Sequence, residues 1–284
     1  EFEEKDATFY DVTPIVTVVS AQDIFNTTQN SKTVIVSINN HDLAIGDRII
    51  VEGATTVGGN IDLSSGTGIH VITSIVGLNS FEIESSVSAS ETSTGAGGTA
   101  VSVAFLLKNE LSDSIQGLGW GAGVYNAGVS TTGARAWNQP SSASNITFRS
   151  NQWSFDNYEE YVLGVRRGGQ ILAFQQDASV TPERMKVVTS STNAVHITAT
   201  EAPIKSNFLL VSPNDGHVIC FGTNSIDGTF DPLLVRWSDQ EDFSNWAVSA
   251  GTTSRENPLA DGTEIVGAVR SRGEILIWTD NSLH

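Results

Sequence analysis

Gly169-Gln170-Ile171-Leu172-Ala173-Phe174, Gly216-His217-Val218-Ile219-Cys220-Phe221 and Gly273-Glu274-Ile275-Leu276-Ile277-Trp278 are three versions of one phrase. Each opens on glycine, passes through an apolar run and ends on an aromatic. An apolar stretch precedes each one, at 161–165, 208–212 and 264–269, and a polar turn that closes on the glycine lies between, at 166–169, 213–216 and 270–273. A closing glycine suits a hairpin turn whose last residue takes positive φ. The copies lie 216 − 169 = 47 and 273 − 216 = 57 residues apart, near the roughly 40–50 residues of a β-propeller blade. Gly169, Ile171, Leu172, Phe174, Gly216, Val218, Ile219, Phe221, Gly273, Ile275, Leu276 and Trp278 are therefore expected to form the repeated blade core. The expected fold is all-β, with partial propeller-like blades of antiparallel hairpins over 151–284. An ordinary all-β protein with several similar hairpins is the alternative.

Ahead of the repeats, residues 16–106 read as short strands separated by polar turns such as His41-Asp42-Leu43 and Gly58-Gly59-Asn60. Spacings near ten residues suit a small inserted β-barrel or sandwich. Its ends are expected to lie close together, as an insertion requires. The Ser/Thr/Gly-rich run 85–98 reads as a mobile surface loop, and 107–150 as a Gly-rich strand and loop connection. Residues 1–15 read as an extended arm, with Pro14 arguing against helix.

The chain has 284 residues, 39% hydrophobic but only 17% charged, with 26 glycines and a net charge of −17. Such acidity excludes general phosphate binding over the surface. One cysteine, Cys220, excludes an internal disulfide. No apolar run approaches the roughly 18 residues of a membrane-spanning helix.

Catalytic and metal patterns are sparse. The five histidines form no paired-ligand spacing, and His41 and His217 read as surface residues at turns. Cys220 sits mid-strand as a small core residue, without an activating base placed by sequence. Asp239-Gln240-Glu241-Asp242 reads as a solvated turn rather than a calcium loop. Core anchoring is the commoner use of the six tryptophans, with a sugar platform as the other. The sequence calls for no cofactor and no enzyme activity.

Phe9-Tyr10-Asp11-Val12-Thr13-Pro14-Ile15, Gly119-Trp120-Gly121-Ala122-Gly123, Trp153-Ser154-Phe155-Asp156-Asn157-Tyr158, Arg236-Trp237-Ser238-Asp239 with Phe243 and Trp246, and the segments 262–267 and 274–280 form a further set of motifs. Together they resemble segments of the tail nozzle, or tail hub and stabilisation, proteins of short-tailed bacteriophages, relatives of the P22-type tail accessory factor. The 16–106 module is similar to small phage β domains labelled after a half-domain of ubiquitin-activating enzymes. The resemblance implies a virion protein assembled in the bacterial cytoplasm. It implies self-association into a ring, six copies, that contacts tail adaptor and fibre or needle proteins and passes double-stranded DNA without specific binding. Phe9, Tyr10, Pro14, Trp120 and Arg135 are the expected assembly contacts. A carbohydrate-binding or carbohydrate-cleaving tail spike or lectin-like propeller is the alternative function.

Overall fold

The structure, a computed structural model, describes residues 2–5, 8–108, 152–175, 184–192 and 195–284. Residues 1–107 and 152–284 make one compact unit; 108–151 make a second, which apart from Lys108 lies outside the described residues. Among the described residues every regular element is a strand. Abundant β-branched residues and frequent turn residues favour this outcome.

The chain opens on a hairpin, β1 (Phe2–Lys5) with β2 (Thr8–Asp11), so the expected extended arm folds back on itself. Val12, Thr13 and Pro14 then run into the interior. Pro14, expected to contact another copy, is buried within its own chain, and its carbonyl accepts a hydrogen bond from Leu107 N at 2.8 Å.

The module comprises β3 (Ile15–Ala21), β4 (Phe25–Thr27), β5 (Thr33–Ser37), β6 (Arg48–Glu52), β7 (Ile69–Gly77), β8 (Ser80–Glu84), β9 (Ser93–Ala96) and β10 (Val101–Leu106). They join in the order β3-β10-β6-β7-β8-β5-β4-β9. In β5, Val34 and Val36 point inward while their neighbours are less buried, the period-2 pattern of a half-buried strand. They meet Phe25, Ile49, Val51, Ile72, Phe81 and Val103 in one core. β7 pairs with β6 through its first residues and with β8 through its later ones, with register shifts along the second pairing. Such irregularities bend a strand, and here β7 carries the sheet around the core. No hydrogen-bonded pairing joins β3 to β9, so the sheet stays open. β9 lies within the run expected as a loop, and Ala89 N and Ser90 N bond to Ser31 O and Gly58 O. Both ends of the module meet: Leu106 pairs with Ile15.

β11 (Trp153–Tyr158), β12 (Tyr161–Arg166), β13 (Ile171–Gln175) and β14 (Lys186–Thr189) form an antiparallel run, with β15 (His196–Thr198) parallel to β14. A single parallel pairing, Lys186 with Ile15, joins this run to the module sheet. The four strands β16 (Ser206–Ser212), β17 (His217–Asn224), β18 (Phe230–Trp237) and β19 (Arg255–Pro258) make a separate antiparallel meander. β20 (Ile265–Arg270) and β21 (Ile275–Thr279) make a two-stranded sheet.

All three repeat phrases thus sit on the second strand of an antiparallel hairpin: β12–β13, β16–β17 and β20–β21. Gly216 and Gly273 adopt φ of 63° and 90°. In the first copy the positive φ, 74°, falls on Gly168 instead of Gly169. There the turn is one residue tighter: Gly169 N bonds to Arg166 O at 2.7 Å, whereas Gly216 N reaches back to Ser212 O.

Candidate functional site

A strand at the edge of a sheet carries free N–H and C=O groups that invite pairing with another strand. β16 is such an edge; at Ser206 the backbone of the β12–β13 turn pairs with it, Gly168 N donating to Ser206 O and Ser206 N to Gly169 O, and further along side chains from two other hairpins close it. Ser154 Oγ on β11 donates to Leu209 O at 3.0 Å and accepts from Leu209 N. Asp156 Oδ2 accepts from Val211 N at 2.8 Å. Arg270, at the end of β20, donates through Nη1 to Val211 O at 2.8 Å and through Nη2 to Asp156 Oδ1 at 3.2 Å. Asp156 and Arg270 therefore join β11, β16 and β20 in one polar knot. Arg167, in the β12–β13 turn, reaches Glu264 at 3.6 Å. Arg167 and Arg270 thus make their ion pairs within the chain.

The strands are arranged for this by their alternation. On β11 Ser154 and Asp156 face β16 while Trp153 and Phe155 stack on each other at 5.5 Å, with Phe155 lying over Gly164, where a Cβ would come within 2.7 Å of the ring. Apolar contacts work in parallel. Leu163, Val165, Ile171 and Ala173 share one core with Leu209, Val211, Val218, Cys220 and the fully buried Trp246. Leu172 turns the other way, to Val12, Met185 and Val187, with Phe174 beside them. Phe221 and Val235, with Ile219 and Trp237, pack on Ile265, Ile275 and Ile277 of the third hairpin. Leu276, Val269 and Val266 lie on the third hairpin too, and Trp278, Val269 and Val266 are exposed.

Arg236 is the other structural cation. It is 1% exposed, donates to Asn224 O at 2.9 Å and Glu201 O at 2.8 Å, and lies 3.7 Å from Glu256. Burial alone lowers its pKa, opposed chiefly by Glu256. Next to it, Ser238 is buried and caps Val218 N, and Asp239 accepts from Thr253 N and Oγ1 and from Gln240 N. Those bonds from Thr253 hold the Asp239 carboxyl below the ordinary carboxylate range. Asp242 likewise caps Ser244, so the acidic turn is spent on its own backbone.

Two further assignments resolve. Cys220 is fully buried, and burial pushes its thiol up to about 12, which makes it inert at neutral pH. His41 is not at the surface: it is buried, with Nε2 3.0 Å from Gly77 O, Nδ1 accepting from Leu43 N, and its ring edge-on to Phe81. Among the described residues no three His, Cys, Asp or Glu side chains gather as a metal site. Trp120 and Arg135 lie outside the described residues, as do the side chains of Phe9 and Tyr10.

A cleft of about 370 Å³ opens between β17–β18 and the third hairpin. Ile219, Val235, Trp237, Ile275 and Ile277 wall it. Asp215, His217 and Glu274 stand among its polar lining.

No family model matches the chain. No curated protein matches it either. Among solved structures, the phage phi92 endosialidase aligns with 93% of this chain at 13% identity and a TM-score of 0.27. The chain spans about a third of that protein's length, 35%. At that overlap neither the architecture nor the activity of the endosialidase transfers to this chain.

Proposed function

We propose that the chain is a structural subunit of a short-tailed phage tail, a nozzle or hub protein that closes with further copies into a ring around the DNA exit path. The observation that carries this reading is the use made of the residues behind the resemblance. Ser154 and Asp156 close the β16 edge, Arg236 and Ser238 brace the β16–β19 meander, and Trp246 fills its core. Each holds strands of the fold together. A fold spent on joining blades suits a load-bearing channel wall. Ring closure in such assemblies uses heterologous contacts.

The charge sets how that wall would treat its cargo. Six chains at −17 carry 6 × −17 = −102 formal charges, and duplex DNA carries one negative charge per roughly 1.7 Å. An acidic lining would repel the duplex, with a reach of about 8–10 Å at ordinary salt, and let it slide without sticking.

Native mass spectrometry and particle imaging of the purified chain test the assembly. Sixfold rings are the expected result. A monomer at every concentration, a trimeric spike, or cleavage of host polysaccharide by the isolated protein would replace this reading with the tail-spike one.

A further inference from the structure

The cleft beside the third hairpin is walled by residues that also pack that hairpin onto β17 and β18, and its rim carries charged groups that this packing does not use. Its apolar walls are Ile219, Val235, Ile275 and Ile277, with the aromatics Phe221 and Trp237. Trp237 is fixed in place, because its Nε1–H donates to Thr253 O at 2.9 Å. Two carboxylates, Asp215 and Glu274, stand on the two turns that flank the cleft. A third, Glu241, lies against the first of these turns: its backbone N–H donates to Gly216 O, and its Cγ would sit 3.1 Å from a Cβ at position 216. The cation in the lining, Arg270, is already committed to Asp156 and Val211 O. His217 has Nδ1 held by Ser238 O at 2.8 Å.

We propose that this cleft binds a long basic side chain, lysine or arginine, presented by an apolar–basic segment of a partner protein. Lysine and arginine bury their methylene stems along apolar surface while the charged head stays at a polar rim. The aliphatic walls match the stem and the carboxylates match the head. An acidic side chain would meet the two carboxylates of the lining, Asp215 and Glu274. A neutral aliphatic one would fill the walls and leave the rim unused. A sugar ring needs a flat aromatic platform with planar hydrogen-bonding groups around it; here Phe221 is fully buried and stacked on Phe208, which leaves one indole among four branched aliphatics. The volume, about 370 Å³, admits the side chain together with part of a flanking apolar residue. The −17 charge of the chain adds long-range attraction for such a segment. The site is independent of ring closure: the ring experiment reads oligomer size, whereas this one reads occupancy of the cleft.

The test follows the Trp237 indole N–H signal of the full chain by NMR, assigned with a Trp237→Phe variant. The probes are the blocked peptide acetyl-Ala-Leu-Lys-Leu-Ala-amide, its norleucine and glutamate counterparts, and glucose. The lysine peptide is expected to shift the signal saturably and to bind more weakly in 0.5 M salt, as exposed charge pairs do. Glu274→Gln should weaken binding about 2- to 5-fold, the range for one solvent-exposed ion pair. Asp215→Asn added to it should weaken binding by roughly 10-fold in all if the two pairs act independently. Glu274→Lys should abolish binding without moving the urea midpoint, since residue 274 is exposed. Equal binding of the norleucine or glutamate peptide, no saturable shift with any peptide, or a shift with glucose alone would overturn the proposal.

Discussion

Asp156→Ala is the sharpest single test of how the hairpins are joined. It removes the acceptor of Val211 N, 2.8 Å away, and the partner of Arg270, 3.2 Å away. The Asp156 side chain is 11% exposed and that of Arg270 is 40% exposed, so the two losses count differently. A hydrogen bond from a backbone N–H to a charged, mostly buried acceptor is worth about 1.5–3 kcal/mol. The ion pair, open to solvent on the arginine side, adds only about 0.2–1 kcal/mol. Asp156→Ala is therefore expected to cost about 2–4 kcal/mol. Asp156→Asn keeps an oxygen for Val211 N and loses the charge, so its cost should be about 1 kcal/mol. Urea unfolding followed by tryptophan fluorescence reads both. Hydrogen exchange locates the effect, because the Val211 amide should lose protection in the alanine variant and keep it in the asparagine one. In a double-mutant cycle with Arg270→Ala, the coupling should be no more than about 1 kcal/mol, since the pair is partly solvated. An alanine variant within 0.5 kcal/mol of the parent, or one in which Val211 exchanges no faster, would refute the idea that side chains close the β16 edge at Leu209 and Val211; the threshold is roughly the scatter of neutral surface substitutions.

Other expectations follow from single groups. Cys220, with its thiol pushed up to about 12 by burial, should resist iodoacetamide at pH 8 in the folded protein and react fully in urea. Asp11 is held below its ordinary pKa: burial opposes this, but hydrogen bonds from Thr13 and the guanidinium of Arg184 prevail. Its contribution to stability should therefore be complete above the unfolded value of 3.8 and fade as pH falls through the lower folded value. Asp11→Asn should accordingly flatten the acid limb of the stability curve below about pH 4. Arg236→Ala, which strips a buried cation from Asn224 O, Glu201 O and Glu256, should cost about 3–5 kcal/mol in urea unfolding. Gly273→Ala at φ 90° meets nothing within 4 Å, so only backbone strain of about 1–2 kcal/mol should appear.

The hairpins were legible because their signals are local. A strand with apolar alternation, a turn with glycine and a returning strand occupy some fifteen residues, and all three copies fold as read. Which glycine takes positive φ was less legible, since the Gly168-Gly169 pair offers two positions and the tighter turn takes the first. His41 read as a surface residue because its neighbours Asn39, Asn40 and Asp42 are turn formers. Its burial depends on Gly77 and Phe81, more than thirty residues away. The 85–98 run hid β9 because Ser93-Thr94-Gly95-Ala96 has no strand-forming pattern of its own; pairing with β4 imposes it. Ser154 and Asp156 stand within the Trp153–Tyr158 motif without a chemical signature of their own. A pair of small polar residues alternating with aromatics on a strand was the available signal, but its target, an edge 55 residues on, has no signature in sequence.

The same limit explains how the three hairpins are joined. A period-2 pattern says which residues share a face but not which face meets which neighbour. Ile171 and Ala173 align with Val218 and Cys220, and these four lie in one core, so the first junction brings equivalent faces together. At the second junction Ile219 and Phe221 meet Ile275 and Ile277, so there the faces differ. The cause lies outside the repeat. Leu172, Val187 and Met185 are claimed by Val12 at the module junction, which leaves the first hairpin only its other face for β16. The third hairpin has no such claim on it, and its Val266, Val269 and Trp278 stay exposed. An internal repeat fixes the unit, while the segment entering from the module decides how the first unit is oriented against the second.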